Sequence, residues 1–583
     1  MSSGIVLTDC FKTYTYDQDK SRTPQETISR VRALLKEVDL DILKETVRID
    51  SGRLGIPIFI SLCGRDAVRI IGTQKQMGKG GTPEQSEASA LMELAERFSF
   101  FDFIKTRPYI TETYRNIKDQ ALPFEALSLC FYDQSPDPFK IRDVFEDIPL
   151  SWVQAYNLTQ QKDQWIPIDW FYLIHEYNGP SAGNTMEEAI LQGLCEVIER
   201  HVSSVISYES RLTPTIDPDS VSDPAARDLI EKFDRLGIKL FLKDFSLDTG
   251  IPTVGSIAYD PSTYPEKSEI VFTAGTTPNP EKSLIRAVTE IAQLAGDFNS
   301  KTRYRPTLPK YQRLEDAQYV MANPKTIPIN DLPNLSHENI RWEIESCVQA
   351  LARIGLEVYV VNVTHPKLKI PAVYILIPGA HFRDRTRHTG FLFHLVKLVS
   401  MMDDPGKAIE ILQKIIGIFP DRYEVHFFLG FALERNEQPE EAMRYFNQAL
   451  QRNPRDIDLS SIYCHIGVCL KDLEQYTQAI EFLEKAKSYN ADQKEIYNAL
   501  GFCYFKLKEH YKAIEAFERA IEIDPGSGID YANIGSNLRE LGFYSEAVNL
   551  FQMALDIDPT IEFARDNLEK LTRLIEKEKN NQQ

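Results

Sequence analysis

Glutamates recur at helical spacing in three segments of this 583-residue chain, each time as a thin polar stripe along an otherwise apolar helix. In ASALMELAERFSFF, Ser89, Glu93 and Glu96 stand at i, i+4 and i+7. In EEAILQGLCEVIERHV, Glu188, Gln192, Glu196 and Glu199 form a second stripe with Arg200 at its border. In SLIRAVTEIAQLAG, Arg286, Glu290 and Gln293 repeat the first spacing. At about 100° per residue, the members of a stripe fall within roughly 60° of arc. The remaining positions are mostly Ala, Leu, Ile, Val, Met or Phe, so these helices read as buried almost all round. A carboxylate taken out of water without a partner costs several kcal/mol, and one Arg per stripe cannot neutralise four or five Glu. Magnesium can compensate, because it binds through one or two carboxylates together with nucleotide phosphates. The stripes therefore point to a magnesium-nucleotide site between helices. The competing reading, a solvated rim on each helix, fits one stripe better than three.

Two loops bear on the same site. SAGNT (181 to 185) precedes the second helix, so Ser181 and Asn184 are candidates to cap it while its free N–H groups face an anion. MGKGGT (77 to 82) fails as a phosphate loop: Gly72 to Gly78 is one residue too long, and neither Ser nor Thr follows Lys79. No G-x-G-x-x-G lies between a strand and a helix, so a nucleotide at this site would have to be held outside the common nucleotide folds. His201 is the only His beside a stripe and reads as structural, which disfavours a hydrolytic metal centre.

The elements that must carry these helices read as mixed α/β. IPIFISLC (56 to 63), AVRIIGT (67 to 73), KLFLKDF (239 to 245), PTVGSIAY (252 to 259), EIVFTAG (269 to 275), LEVYVVNVT (356 to 364) and PAVYILIPG (371 to 379) are β-branched or aromatic and bounded by turn residues, as strands are. Beyond them the pattern changes to a period near 34 residues. Ala408, Ala442, Ala479, Ala513 and Ala547 mark one helix crossing. Gly430, Gly467, Gly501 and Gly535 mark a second, while Pro420, Pro454, Pro525 and Pro559 end units. One step, Gly430 to Gly467, is 37, which places an insertion near RDIDLS. These segments resemble tetratricopeptide repeats, about five of them with a polar capping helix. That resemblance implies a concave groove for protein or peptide docking; packing on the N-terminal domain and self-association remain the alternatives.

Acidic residues outnumber basic ones, 85 to 66. The excess is spread along the chain, and no basic face suggests nucleic acid. No apolar run approaches the ~20 residues of a membrane helix. The eight cysteines form no CxxC pair, which fits a reducing cytoplasm, and the start lacks the features of a secretory signal. A cytoplasmic protein is expected.

Taken together, GKGGTPEQSEASALMELAER, SAGNTMEEAILQGLCEVIER and IRAVTEIAQ resemble the three motif blocks of the YcaO family, in the right order, over roughly residues 10 to 385. The fold expected is an α/β (α+β) YcaO-type ATP-binding domain over 1–385, followed by an all-α tetratricopeptide solenoid over 386–580. The resemblance implies ATP and Mg2+ as cofactors and phosphorylation of a backbone amide oxygen in a protein or peptide substrate. It makes Glu93, Glu96, Glu188, Glu196 and Glu199 metal or phosphate-site ligands, and Ser89, Ser181, Asn184, Gln192 and Glu290 nucleotide or site-shaping contacts. Arg200 and Arg286 would face phosphate, with Glu93, Glu199, Arg200 and Arg286 carrying the catalysis. Lys20 and Thr27, in DKSRTPQETISRV, match an N-terminal nucleotide-contacting Lys and hydroxyl. The azoline-forming branch commonly has a proline-rich tail and a leader-binding partner domain, whereas here IPAVYILIPGAHF runs into the repeats. The chain is thus more similar to stand-alone members associated with thioamide formation, often beside a TfuA-like or sulfur-delivering partner. The alternative is an accessory adaptor for methylthiolation of a ribosomal protein. An oligomer is compatible with either.

Overall fold

The computed structural model describes residues 4–582 apart from 51, 107–108, 132–136, 176, 268, 296–297, 299–310 and 383–388. Contacts divide the chain into two compact units, Met1–His394 and Leu395–Gln583.

Among the described residues, three sheets build the first unit. The smallest is an antiparallel set in the order β1 (Leu43–Arg48), β2 (Ile58–Cys63), β3 (Lys75–Lys79). A second runs β11 (Val271–Thr276), β10 (Thr253–Tyr259), β9 (Lys239–Asp244), β8 (Thr215–Ile216), β12 (Thr326–Ile327), with only β8 and β12 parallel. The third runs β4 (Ile110–Thr113), β5 (Pro149–Asn157), β13 (Tyr359–Asn362), β14 (Ala372–Leu376), β7 (Pro180–Ala182), with β6 (Lys162–Pro167) also paired to β5.

Each stripe helix lies on a different sheet. Pro83–Thr106 packs on β2 and β3, Met186–Glu209 on β14 and β7, and Pro280–Ala295 on β10 and β11. Two glycines make this approach close enough. A Cβ at Gly78 would sit 2.1 Å from the Ala90 nitrogen, and one at Gly275 would sit 2.3 Å from the Ser283 carbonyl oxygen. Only a residue without a side chain allows a helix backbone so near the strand.

Six of the seven expected segments contain a strand, β11 running one residue past its segment to Thr276; AVRIIGT is not a strand. Residues Arg65–Ile71 form a helix that starts after Gly64 and is stopped by Gly72 at φ +83°. Asp66 in its first turn and the left-handed glycine after its end favour the helix over the β-branched content of the run. Expected loop SAGNT contributes β7, and Thr185 caps the following helix by accepting from the Glu188 N–H.

Among the described residues of the second unit every regular element is a helix. After Pro405–Ile418, helices pair as Tyr423–Arg435 with Pro439–Leu450, Asp456–Asp472 with Tyr476–Tyr489, Lys494–Lys506 with His510–Ile523, and Gly528–Glu540 with Tyr544–Ile557. Glu562–Gln582 follows. The five marker alanines are fully buried. Any Cβ on the marker glycines would meet Phe446, Leu483, Phe517 or Phe551 at 2.6 to 3.2 Å. The insertion near RDIDLS becomes about one extra helical turn: Asp456–Asp472 has 17 residues, where the corresponding helices have 13.

Candidate active site

The three stripes face one cavity of about 400 Å³. Pro83–Thr106 presents Gln85, Ala88, Ser89, Met92, Glu93, Glu96 and Arg97 to it, a single helical face. Met186–Glu209 presents Glu188, Gln192, Glu196 and Arg200, and Pro280–Ala295 presents Arg286, Glu290, Gln293 and Leu294. Lys20 and Thr27 also line it, brought there by the N-terminal segment, as does Asn184. Of the residues proposed from the sequence as ligands or contacts, Ser181 and Glu199 lie outside its lining. Ser181 is buried, its hydroxyl donating to the Ala189 carbonyl at 2.7 Å, which makes it a helix-to-strand tie rather than a cap or a cavity contact.

Glu199 is fully buried behind the wall. Its Oε2 accepts from Arg286 Nε at 2.9 Å and from the Thr276 N–H at 3.2 Å, and its Oε1 lies 3.4 Å from Arg200 Nη1. Here it holds the two arginines in place. Glu188 borders the cavity, yet both its oxygens are engaged. One accepts from Ser21 N–H and hydroxyl at 2.5 Å, the other from Asn184 N–H at 2.8 Å and its side-chain amide at 3.1 Å. Asn184 in turn is bonded to the Thr27 hydroxyl, so Glu188, Asn184 and Thr27 act together as a loop anchor.

The charge balance differs from the one the stripes suggested. Lys20, Arg22, Lys75, Lys79, Arg97, Arg200 and Arg286 line the cavity together with five glutamates, so the lining is net basic. Lys79, in the motif that failed as a phosphate loop, enters from the end of β3 and pairs with Glu290 at 2.5 Å. Arg97 sits 3.4 Å from Glu96 and 3.9 Å from Glu93, donates to the Tyr177 carbonyl at 2.8 Å, and lies over the Tyr177 ring. The signal for Arg97 was present, since Glu96-Arg97 repeats the Glu199-Arg200 step. Lys79 stands at the start of the first motif block, but nothing in the spacing set it opposite Glu290.

Electrostatics separates the carboxylates into two kinds. Burial lifts Glu93, Glu96 and Glu196 above the ordinary range, with Arg97 opposing at the first two and Arg200 at the third, while neighbouring glutamates add to the rise. Glu290 goes the other way: burial works against it, but Lys79 and Arg200 bring it down to about 2. Glu93, Glu96 and Glu196 thus lack sufficient positive partners, whereas Glu290 is well paired. On the basic side, Arg200 Nε and Nη1 are buried without a hydrogen-bond partner among the described residues. Among those residues, too, no group of three His, Cys, Asp or Glu comes close enough to hold a metal unaided. A cation here would need oxygens from elsewhere, and a phosphate chain that supplies them also supplies acceptors for Arg200. The residues fit a magnesium-nucleotide.

Residues 77–381 match the family model described as YcaO cyclodehydratase, ATP- and Mg2+-binding. Tetratricopeptide repeat models match 401–463, 460–493 and 495–527. An uncharacterised protein encoded in the tfuA 3′ region of Rhizobium leguminosarum bv. trifolii is 24% identical over 392 residues, covering 62% of this chain and 88% of its own length. The ribosomal protein S12 methylthiotransferase accessory factor YcaO of Escherichia coli (strain K12) is 30% identical over 243 residues, covering 38% of this chain and 40% of its own. Among solved structures, a heterocyclase in complex with substrate and cofactor superposes with a TM-score of 0.54 at 24% identity, over 65% of this chain and 54% of that one. That likeness is one of fold.

Proposed function

Because the chain belongs to the YcaO cyclodehydratase family, described as ATP- and Mg2+-binding, we propose that it uses ATP to phosphorylate the oxygen of a peptide backbone amide. Replacement of that oxygen by sulfur would then complete a thioamide. The observation that carries this reading is the shared cavity, in which under-compensated Glu93, Glu96 and Glu196 stand with Arg200, whose Nε and Nη1 lack a hydrogen-bond acceptor among the described residues. When bound, ATP would supply the phosphoryl group and its Mg2+ ion the positive charge these carboxylates lack.

The chain's own residues then divide the work. Glu93, Glu96 and Glu196 hold the cation. Arg200 and Arg286 take phosphate oxygens and stabilise charge at the transferring group, which is where most of the rate acceleration in phosphoryl transfer usually arises. Glu199 keeps both arginines from turning away, the Lys79–Glu290 pair fixes the facing wall, and Lys20 and Thr27 close the cavity from the N-terminal segment. The repeats recruit the protein substrate or a sulfur-delivering partner. Similarity to a protein encoded beside tfuA supports the thioamide branch.

A second reading has its own support in the similarity to the S12 methylthiotransferase accessory factor: an adaptor that assists methylthiolation through its repeats without performing amide chemistry. Two measurements decide. Titration calorimetry should show Mg2+-dependent binding of the non-hydrolysable analogue AMP-PNP that is lost in Glu93→Gln and in Arg200→Met. Mass spectrometry of proteins from cells with and without the gene should reveal a peptide in which sulfur replaces oxygen. Nucleotide binding with no such peptide favours the adaptor; absence of Mg2+·AMP-PNP binding overturns the amide-activating reading.

A further inference from the structure

Beside the large cavity lies a smaller one of about 50 Å³, which shares Gln18, Lys20, Glu188, Gln192 and Arg286 with it. By volume it has room for roughly four water-sized groups, about the heavy atoms of one peptide unit and too few for a nucleotide or a large side chain. Three acidic residues line it. Asp19 is engaged by Lys12 Nζ at 2.7 Å, and Glu188 is committed at both oxygens. Glu343 differs. Its Oε1 accepts from Lys12 Nζ at 2.5 Å and from the His337 N–H at 3.0 Å. Its Oε2 has no hydrogen-bond partner among the described residues, although the side chain is fully buried. A buried oxygen left without a donor is costly, so the geometry favours a donor arriving from outside the chain.

We propose that this annex receives the amide group being modified and that Glu343 is the base that takes its proton. The inference rests on the amide-activating reading above. The shared wall of Lys20, Gln192 and Arg286 places the annex next to the place where phosphate would lie, so a carbonyl oxygen can face the triphosphate while the N–H faces Glu343. In the step, the N–H bond breaks and its proton goes to Glu343 Oε2. The nitrogen electrons form C=N, and the carbonyl oxygen forms a bond to the γ-phosphorus. The bond from that phosphorus to the β,γ-bridging oxygen breaks, and ADP leaves. Products are the O-phosphorylated imidate, ADP and a protonated Glu343, so atoms and charge balance. Burial lifts the Glu343 carboxyl above its usual range against the pull of Lys12, which strengthens it as a base. Neither the chain's stripes nor its motifs include this residue.

The test uses the full chain in a gene-deleted host, complemented with wild type, Glu343→Gln or Leu191→Phe. Gln keeps the shape and the acceptor for Lys12 and His337 but cannot take a proton. Phe at 191, which lines the annex and not the large cavity, fills the amide's place. Both purified variants should melt as wild type does and bind Mg2+·AMP-PNP with unchanged affinity, while the sulfur-containing peptide falls by about 100-fold or more. Wild-type yield of that peptide from either variant overturns the inference and leaves the proposed function standing. No such peptide from the wild type removes both.

Discussion

At the scale of single residues, the cavity contains two opposite kinds of glutamate that sequence cannot tell apart. Glu196 and Glu290 occupy equivalent places in their stripes, yet burial dominates at the first and Lys79 and Arg200 dominate at the second. Opposite mutational effects follow. Glu196→Gln relieves a poorly compensated carboxylate, so the nucleotide-free protein should melt at the same temperature or higher while its affinity for Mg2+·AMP-PNP falls. Glu290→Gln strands two buried cations and should cost about 3–5 kcal/mol in nucleotide-free stability. Thermal melts of the two variants side by side check the contrast, and equal destabilisation by both would show that the cavity is electrostatically uniform.

At the scale of elements, the site depends on how closely each helix sits on its sheet. Gly78 and Gly275 lie under two of the three stripe helices, where an added methyl meets backbone that cannot rotate away. Gly78→Ala and Gly275→Ala should each cost about 3 kcal/mol or more and weaken nucleotide binding even under conditions where the variant is folded. Chemical denaturation with calorimetry on the same samples measures both effects. A stable Gly275→Ala protein with intact affinity would mean that the helix shifts without consequence for Arg286. In the repeats the same close approach is used again, with glycine under Phe or Leu at every crossing. The extra turn in Asp456–Asp472 lengthens one helix and leaves the pairing intact.

At the scale of the whole molecule, acidification pulls stability in two directions. The formal charge of −19 at pH 7 means that protonating surface carboxylates relieves repulsion as pH falls. His175 opposes this. It is fully buried between Phe171 and Phe382, neither ring nitrogen has a hydrogen-bond partner among the described residues, and burial lowers its pKa from 6.5 to about 3. The unfolded chain therefore binds this proton first, so the contribution is complete above pH 6.5 and is lost progressively as pH falls toward 3. At about pH 5 the loss amounts to about 2 kcal/mol. His175→Leu should flatten the decline of melting temperature between pH 7 and pH 5, and an unchanged slope would place the acid sensitivity elsewhere. No helix among the described residues is long and apolar enough to cross a membrane.

Helical periodicity alone determined the three stripes, since residues at i, i+4 and i+7 must share a face whatever the surrounding fold. A 34-residue period likewise determined the repeats, because each crossing requires a small side chain. Sequence did not reveal that Lys79 would answer Glu290, that Glu199 would sit behind the wall, or that Glu343 would border an annex. Those facts depend on three helices from three different sheets meeting in one place. Spacing along a chain fixes the direction of a side chain within its own element, whereas its partners across a cavity are set only when separate elements pack.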